Sequence, residues 1–180
     1  LKTPYFAELF IRHGTDKEFR HGYGAAYDDL IAKLTVHTVL EVGVHKGFSL
    51  LAWAEAWPKA EVYGVDIIDR HVTEPHPRVH ILQADATTWS IRTALPPGVQ
   101  YNLIIDDGSH KLLDQVLAAG VLFPLLAPGG VYVIEDVASP RKARQLRRLA
   151  RPGFKVTQVE VCGPNKRYDD RLVVLHRDLL

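Results

Sequence analysis

Three short segments carry the residues able to do chemistry. EVGVHKG occupies positions 41–47, DDGSH 106–110 and VIED 133–136, and each closes a strongly apolar run. In DDGSH, Asp106 ends a predicted strand, Gly108 permits a sharp turn, and Ser109 is expected to begin a helix. His110 then falls in the first helical turn, where the helix dipole disfavours its charged form and keeps it a neutral base. Glu135 and Asp136 end the next strand in sequence. Asp107, Glu135 and Asp136 can therefore converge above a sheet as hard oxygen donors with open positions, a set that suits Mg²⁺, Mn²⁺ or Ca²⁺. Such an ion lowers the pKa of a bound hydroxyl, and a neighbouring histidine can take the proton.

The first segment is built to meet a cofactor. Leu40 to Gly47 reads as strand, tight turn and helix start. Gly43 and Gly47 remove side chains where a ligand must touch the main chain, and Ser49 is expected to cap the following helix. Glu41 ends the strand and can salt-bridge or orient the cofactor's amino acid end. Asp66, nineteen residues after Gly47, ends the next strand, where a carboxylate can accept two hydrogen bonds from a ribose diol. Asp85 follows the third strand and suits an adenine amino group, with Ala84 and Ala86 leaving room for the ring; Asp106 joins this cofactor-facing set. The pattern is not G-x-G-x-x-G, and no glycine crowds the helix where a pyrophosphate would bind. S-adenosylmethionine, which has no phosphate, fits better than NAD; a dehydrogenase is the competing reading. Any one of these motifs alone is satisfied by turns and helix caps, and the weight lies in their joint occurrence at strand ends.

These residues need a scaffold of alternating strands and helices. Strands are predicted at Thr38–Val42, Glu61–Val65, Arg78–Gln83, Tyr101–Asp106, Gly130–Glu135, Lys155–Val161 and Arg171–His176, with helices at Ser49–Trp57, Leu112–Leu122 and Pro140–Ala150. Several strands are continuous Val/Ile/Leu runs, as parallel strands buried on both faces require. The expected fold class is α/β, a doubly wound, mostly parallel seven-stranded sheet with ligands above the strand carboxyl ends. Only a polar loop, Gly163 to Asp170, separates the last two strands, so they must pair antiparallel and the last strand is reversed. One compact domain is expected, with residues 1–36 a helical cap or lid and 37–180 the cofactor-binding part.

Composition excludes some classes. The 180 residues are 47% hydrophobic and 24% charged with a net charge of +1, so no global field argues for nucleic acid or membrane lipid. Cys162 is the only cysteine, which suits a reducing cytoplasm. No signal peptide is expected, and the longest apolar stretch, Val116 to Leu126, is far short of a membrane span and carries Pro124. With no methionine at all, residues are expected to precede Leu1 in the natural chain. The basic run at 141–151 keeps helical apolar spacing and reads as a solvated helix face. Trp53 and Trp57 are expected in the core, Trp89 could flank adenine, and His45 could touch the cofactor. His71, His76 and His80 are too scattered to nominate zinc.

The same segments resemble the metal-dependent sugar O-methyltransferases of antibiotic biosynthesis, a group of class I S-adenosylmethionine-dependent methyltransferases of the mycinamicin and rhamnosyl type. The resemblance runs from about Gly14 to Asp136. It implies that Asp107 supplies a metal carboxylate, that Glu135 and Asp136 complete the metal site, and that His110 is the catalytic base. The GTDK segment, Gly14–Lys17, with His21, Tyr23 and Tyr27 after it, resembles the part that folds over the cofactor, so Asp16, Lys17, Tyr23 and Tyr27 are candidate lid contacts. The implied function is divalent-metal-assisted methylation of a hydroxyl on a sugar or glycosylated natural product. Alternatives are a metal-independent methyltransferase of an amine or phenol, with RNA a weaker acceptor, and a cofactor-binding accessory protein without catalysis. The chain is shorter than the macrolide enzymes, so a neighbouring subunit could close its pocket.

Overall fold

The strand predictions rest on continuous apolar runs, and the structure, a computed structural model, shows where each face goes. It describes residues 5–31, 34–70, 75–149, 152–161 and 163–179; Ala150, His71 and Cys162 lie outside the described residues. The strands are β1 (Thr38–Val42), β2 (Glu61–Asp66), β3 (Val79–Gln83), β4 (Tyr101–Asp106), β5 (Leu126–Ile134), β6 (Phe154–Glu160) and β7 (Arg171–Arg177). They form one sheet in the order β3-β2-β1-β4-β5-β7-β6. The first five strands pair in parallel. β7 inserts antiparallel between β5 and β6. The reversed last strand expected from the short polar loop is present. β5 starts at Leu126, earlier than the expected Gly130, through an irregular pairing with β4.

The helices are α1 (Tyr5–His13), α2 (Asp16–Phe19), α3 (Gly24–Ile31), α4 (Phe48–Ala56), α5 (Ile91–Ala94), α6 (Leu112–Leu122) and α7 (Pro140–Leu146). Two cores cover the two sheet faces. Val39, Leu103, Ile105, Val131 and Val133 meet α1, α3 and α4 on one side. Leu40, Val42, Ile104, Tyr132 and Ile134 meet α5, α6 and α7 on the other. Because side chains alternate along a strand, Glu41 shares the α1/α3/α4 face and Asp106 the opposite one.

The N-terminal helices belong to the main core. Phe10 is fully buried and meets Trp53 edge-on at 5.2 Å and Tyr27 at 5.7 Å. Trp53 also stacks on Trp57 at 6.0 Å, as the sequence reading expected. α7 is shorter than predicted; it is capped by Ser139, whose side chain accepts from Lys142 N, and gives way to a tighter turn over Arg147–Leu149. Ala143 and Leu146 are buried while Arg141, Arg144, Arg147 and Arg148 face solvent, so the basic run is a solvated face. Among the described residues no helix is long and apolar enough to cross a membrane.

One backbone approach ties the sheet to the site. Gly43, φ +92°, leaves β1 so close to β4 that a Cβ there would stand 2.2 Å from the Asp107 carbonyl oxygen. Gly43→Ala should therefore unfold at lower denaturant and lose cofactor-type ligand binding, read by urea titration and by S-adenosylhomocysteine calorimetry. Phe10→Ala should cost about 3–5 kcal/mol in a single urea transition shared by the whole chain. A separate early transition would mark the N-terminal helices as an independent unit.

Candidate functional site

The cleft opens above the carboxyl ends of β1, β2 and β4, where the strand order reverses, and has a volume of about 860 Å³. Gly43, His45, Asp66, Ala84 and Asp85 line one end, and Asp107, His110 and Asp136 the other. The sequence segments named above are thus brought into one cavity by the parallel register, which sets Glu41 beside Ile105 and Ile105 beside Val133.

At the first end Asp66 is held by its own neighbourhood. Its Oδ2 accepts from Val44 N at 3.0 Å and His45 N at 3.4 Å, and its Oδ1 from Ile68 N at 3.0 Å. Burial raises its pKa, but these N–H groups and Arg70 outweigh it and hold the carboxyl below its ordinary value. Asp85 Oδ1 accepts from the Thr87 hydroxyl at 2.6 Å and from Thr87 N at 2.9 Å, which lowers its pKa. Asp106 is buried, with Oδ1 accepting from Gly108 N at 3.3 Å and Oδ2 without a hydrogen-bond partner. Burial pushes its carboxyl up to about 6, against the Gly108 N–H.

At the second end Asp107, His110 and Asp136 present ligand atoms all within 4.8 Å of one another. His110 Nε2 lies 3.9 Å from Asp136 Oδ2. Asp136 Oδ1 accepts the Tyr23 hydroxyl at 2.7 Å and lies 3.4 Å from His21 Nδ1. Burial, reinforced by Asp107, raises the Asp136 carboxyl. Below this pair Lys17 Nζ lies 2.5 Å from Glu135 Oε2, 2.8 Å from Asp107 Oδ2 and 3.1 Å from Glu41 Oε1. Burial alone would favour loss of the Lys17 proton, but Asp107, Glu135 and Glu41 hold its pKa well above the ordinary range.

Several residues stand elsewhere than the sequence suggested. Glu41 does not line the cleft; it is buried in the core, accepting from Trp53 Nε1 at 2.8 Å. Tyr23 and Tyr27 are fully buried and support Asp136 and Glu135, with Tyr27 donating to Glu135 Oε1; neither lines the cleft. Glu135 lines the cleft beside Asp107, His110 and Asp136, with Lys17 and Tyr27 as the partners of its two oxygens. Asp16 and Lys17 do line the cleft. Ser49 is not the cap of α4: Gly47, φ +75°, takes that position without a side-chain bond, and Ser49 sits buried in the first turn. His110 is not in the first turn of α6, which begins at Leu112; it adopts φ +57°, in the left-handed region. Trp89 is 62% exposed against Arg92 and does not line the cleft. His80 pairs with Glu61 at 2.6 Å and His76 accepts from Arg78 N, so their contacts are local.

Sequence reasoning missed the mouth. Phe19 and Tyr168 line the cleft with rings 54% and 73% exposed. Asn165 donates to the carbonyls of Phe19 and Arg20 at 3.0 and 3.2 Å, tying the β6–β7 loop to α2. His21 Nδ1 lies 3.0 Å from Asp170 Oδ1 in the same seam. The only signal was the polar composition of 163–170, which marks a loop and says nothing of where it lands.

Residues 40–137, more than half of the chain, match a family described as a methyltransferase domain. The chain is 40% identical to 8-demethyl-8-alpha-L-rhamnosyl tetracenomycin-C 2'-O-methyltransferase of Streptomyces olivaceus, over 75% of this chain and 38% of that protein. It is 35% identical to mycinamicin VI 2''-O-methyltransferase of Micromonospora griseorubida, over 76% of this chain and 37% of that protein. It therefore spans under two fifths of the length of these curated relatives. The MycE methyltransferase from the mycinamycin biosynthetic pathway, in complex with Mg, SAH and mycinamycin VI, superposes with a TM-score of 0.73 at 24% identity, over 99% of this chain and 54% of that one. With its central strands and their connecting turns matched and the sheet shared, the chain belongs to the methyltransferase domain family.

Proposed function

We propose that this chain is the catalytic domain of an S-adenosylmethionine-dependent O-methyltransferase that acts on a hydroxyl of a sugar or glycosylated natural product, assisted by a divalent cation. The observation that carries the reading is one cleft holding a turn-and-carboxylate end beside the Asp107, His110 and Asp136 cluster. The relatives' names, which specify rhamnosyl and mycinamicin O-methylation, support the acceptor class.

The residues divide the work. Gly43, Gly47 and the buried Ser49 would let the cofactor meet the main chain, with Asp66 suited to its ribose and Asp85 to its adenine. Asp106 and Asp16 border the methionine end, Asp16 from α2 among the N-terminal helices. Lys17, Tyr23, Tyr27 and Glu41 are buried and form the floor beneath the acid cluster. Bound S-adenosylmethionine would supply an electrophilic methyl on sulfur. Asp107 and Asp136 offer oxygen donors suited to Mg²⁺, Mn²⁺ or Ca²⁺, and a cation bound there would lower the pKa of the acceptor hydroxyl. His110 would take the acceptor hydroxyl's proton, and Asp136 Oδ2, 3.9 Å from its Nε2, would face the imidazolium.

Exposed Phe19 and Tyr168 flank the mouth, where an acceptor's apolar part or a neighbouring subunit of a homo-oligomer would close the site. A net charge of +1 argues against nucleic acid as acceptor, and the single cysteine fits a cytoplasmic setting.

The test is methyl transfer from labelled S-adenosylmethionine to a panel of rhamnosylated polyketides. His110→Ala should lower turnover by about 10²–10⁴-fold with S-adenosylhomocysteine affinity unchanged; undiminished turnover removes His110 from the mechanism. EDTA should abolish transfer and Mg²⁺ restore it. Full activity in EDTA would move the assignment to an amine or phenol acceptor.

A further inference from the structure

Two buried polar atoms beside the acid cluster lack partners of opposite kinds. His110 Nδ1 is buried and has no hydrogen-bond partner among the described residues, and the same holds for Asp106 Oδ2. The rest of the His110 ring is partly exposed at the cleft, with Nε2 3.9 Å from Asp136 Oδ2. Nε2 is therefore the nitrogen that can meet an acceptor, and Nδ1 the one turned inward. Asp106 stands four residues earlier, across the Gly108 turn, with Oδ1 accepting from Gly108 N at 3.3 Å.

The chemistry of a base at this position pairs the two atoms. An imidazole that takes a proton at Nε2 must already carry one at Nδ1, and a buried N–H without an acceptor is costly. An ionised carboxylate is an acceptor only and needs a donor. Burial is the main influence on the Asp106 carboxyl and raises it; the Gly108 N–H opposes this, Asp107 adds to it, and the His110 imidazole draws it back down. The two side chains thus lie within electrostatic reach of each other. The Tyr132 hydroxyl, buried and unpaired on the same face of the sheet, is a further donor for this carboxylate. Burial, reinforced by Asp106, raises its phenol and keeps it protonated.

We propose that Asp106 is the positioning residue for the base: its Oδ2 accepts the Nδ1–H of His110 and holds the imidazole in the tautomer that leaves Nε2 bare. The two atoms are not bonded in the structure, so the pairing needs the imidazole to turn. The acceptor's proton goes to Nε2, and Asp106 stays ionised and faces the imidazolium. Since Oδ2 is buried, it offers the cofactor no surface. The inference rests on the base role of His110 in the function proposed above.

The tautomer is read from long-range ¹H–¹⁵N spectra of the full chain saturated with S-adenosylhomocysteine, at about pH 8.5, above the ordinary histidine pKa. The His110 signals are those missing from His110→Gln. The parent should carry the His110 proton on Nδ1. In Asp106→Asn the Gly108 N–H keeps the amide oxygen, which turns the amide NH₂ toward Nδ1 and should move the proton to Nε2. Methyl transfer to the rhamnosylated polyketides should then lose about 10²–10⁴-fold in kcat. Acceptor KM and S-adenosylhomocysteine affinity should stay within about threefold of the parent. A folded Asp106→Asn protein that keeps the parent tautomer or the parent kcat overturns the proposal. Weaker S-adenosylhomocysteine binding with kcat unchanged at saturation makes Asp106 a cofactor residue and overturns it too. Should Asp106→Asn fail to fold, the parent spectrum decides: a slowly exchanging proton on Nδ1 upholds the pairing, and a proton on Nε2 overturns it. The spectra need no acceptor, so they decide even where no polyketide of the panel is methylated. Undiminished turnover in His110→Ala removes the base reading and this inference with it. Turnover lost in His110→Ala but retained in Asp106→Asn leaves His110 as the base and overturns only the role of Asp106.

Discussion

The ion cluster around Lys17 is the constraint on which the rest of the site depends. An ammonium buried to this degree loses its hydration, at a cost of several kcal/mol. One carboxylate would not reliably offset that. At an effective dielectric of about 20, unit charges 2.8 Å apart attract by about 6 kcal/mol, and Lys17 has three such partners at 2.5, 2.8 and 3.1 Å. The same contacts join α2 to the ends of β1, β4 and β5. An N-terminal helix that would otherwise be a peripheral cap is thereby fixed to the strands that carry the acids.

Strand parity explains how one sheet edge serves two purposes. Glu41 shares its face with Leu103, Ile105, Val131 and Val133, beneath α1 and α3, and Asp107 and Glu135 continue the same alternation just beyond the strand ends. These three residues meet Lys17. Asp106 alternates to the face of Ile104 and Ile134, so its carboxylate lies apart from the cluster, with one oxygen unpaired. Adjacent acids in the chain thus have separate environments, and neighbouring positions in DDGSH do not share a role.

A second seam closes the site from the C-terminal hairpin. β7 lies between β5 and β6, which carries the 163–170 loop back over α2. His21, stacked on Tyr23 at 5.0 Å, links Asp136 to Asp170, and Asp169 is bridged by Arg167 at 2.8 Å. The hairpin therefore braces Asp136 through buried side chains and presents Tyr168 at the mouth. The mouth of the cleft and the acid cluster are thus mechanically joined.

The sequence by itself determined the strands, their parallel order of apolar runs and the reversed last strand, because continuous Val/Ile/Leu runs and a connection too short for a crossover leave no other arrangement. It also determined that the acids and His110 sit at strand ends, since each motif directly terminates an apolar run. Only the tertiary structure decided how the acids are grouped. Glu41, Asp107 and Glu135 share one face of the sheet, and the arrival of Lys17, 24 residues from Glu41 and 118 from Glu135 in the chain, ties all three together. Tyr23 and Tyr27 were legible as partners of the site but not as buried supports, because burial depends on Phe6, Phe10 and Trp53 packing around them. The left-handed His110 and the Phe19–Tyr168 mouth were illegible for the same reason. Backbone turns and loop landings are set by contacts between segments far apart in the chain, and local spacing carries no record of them.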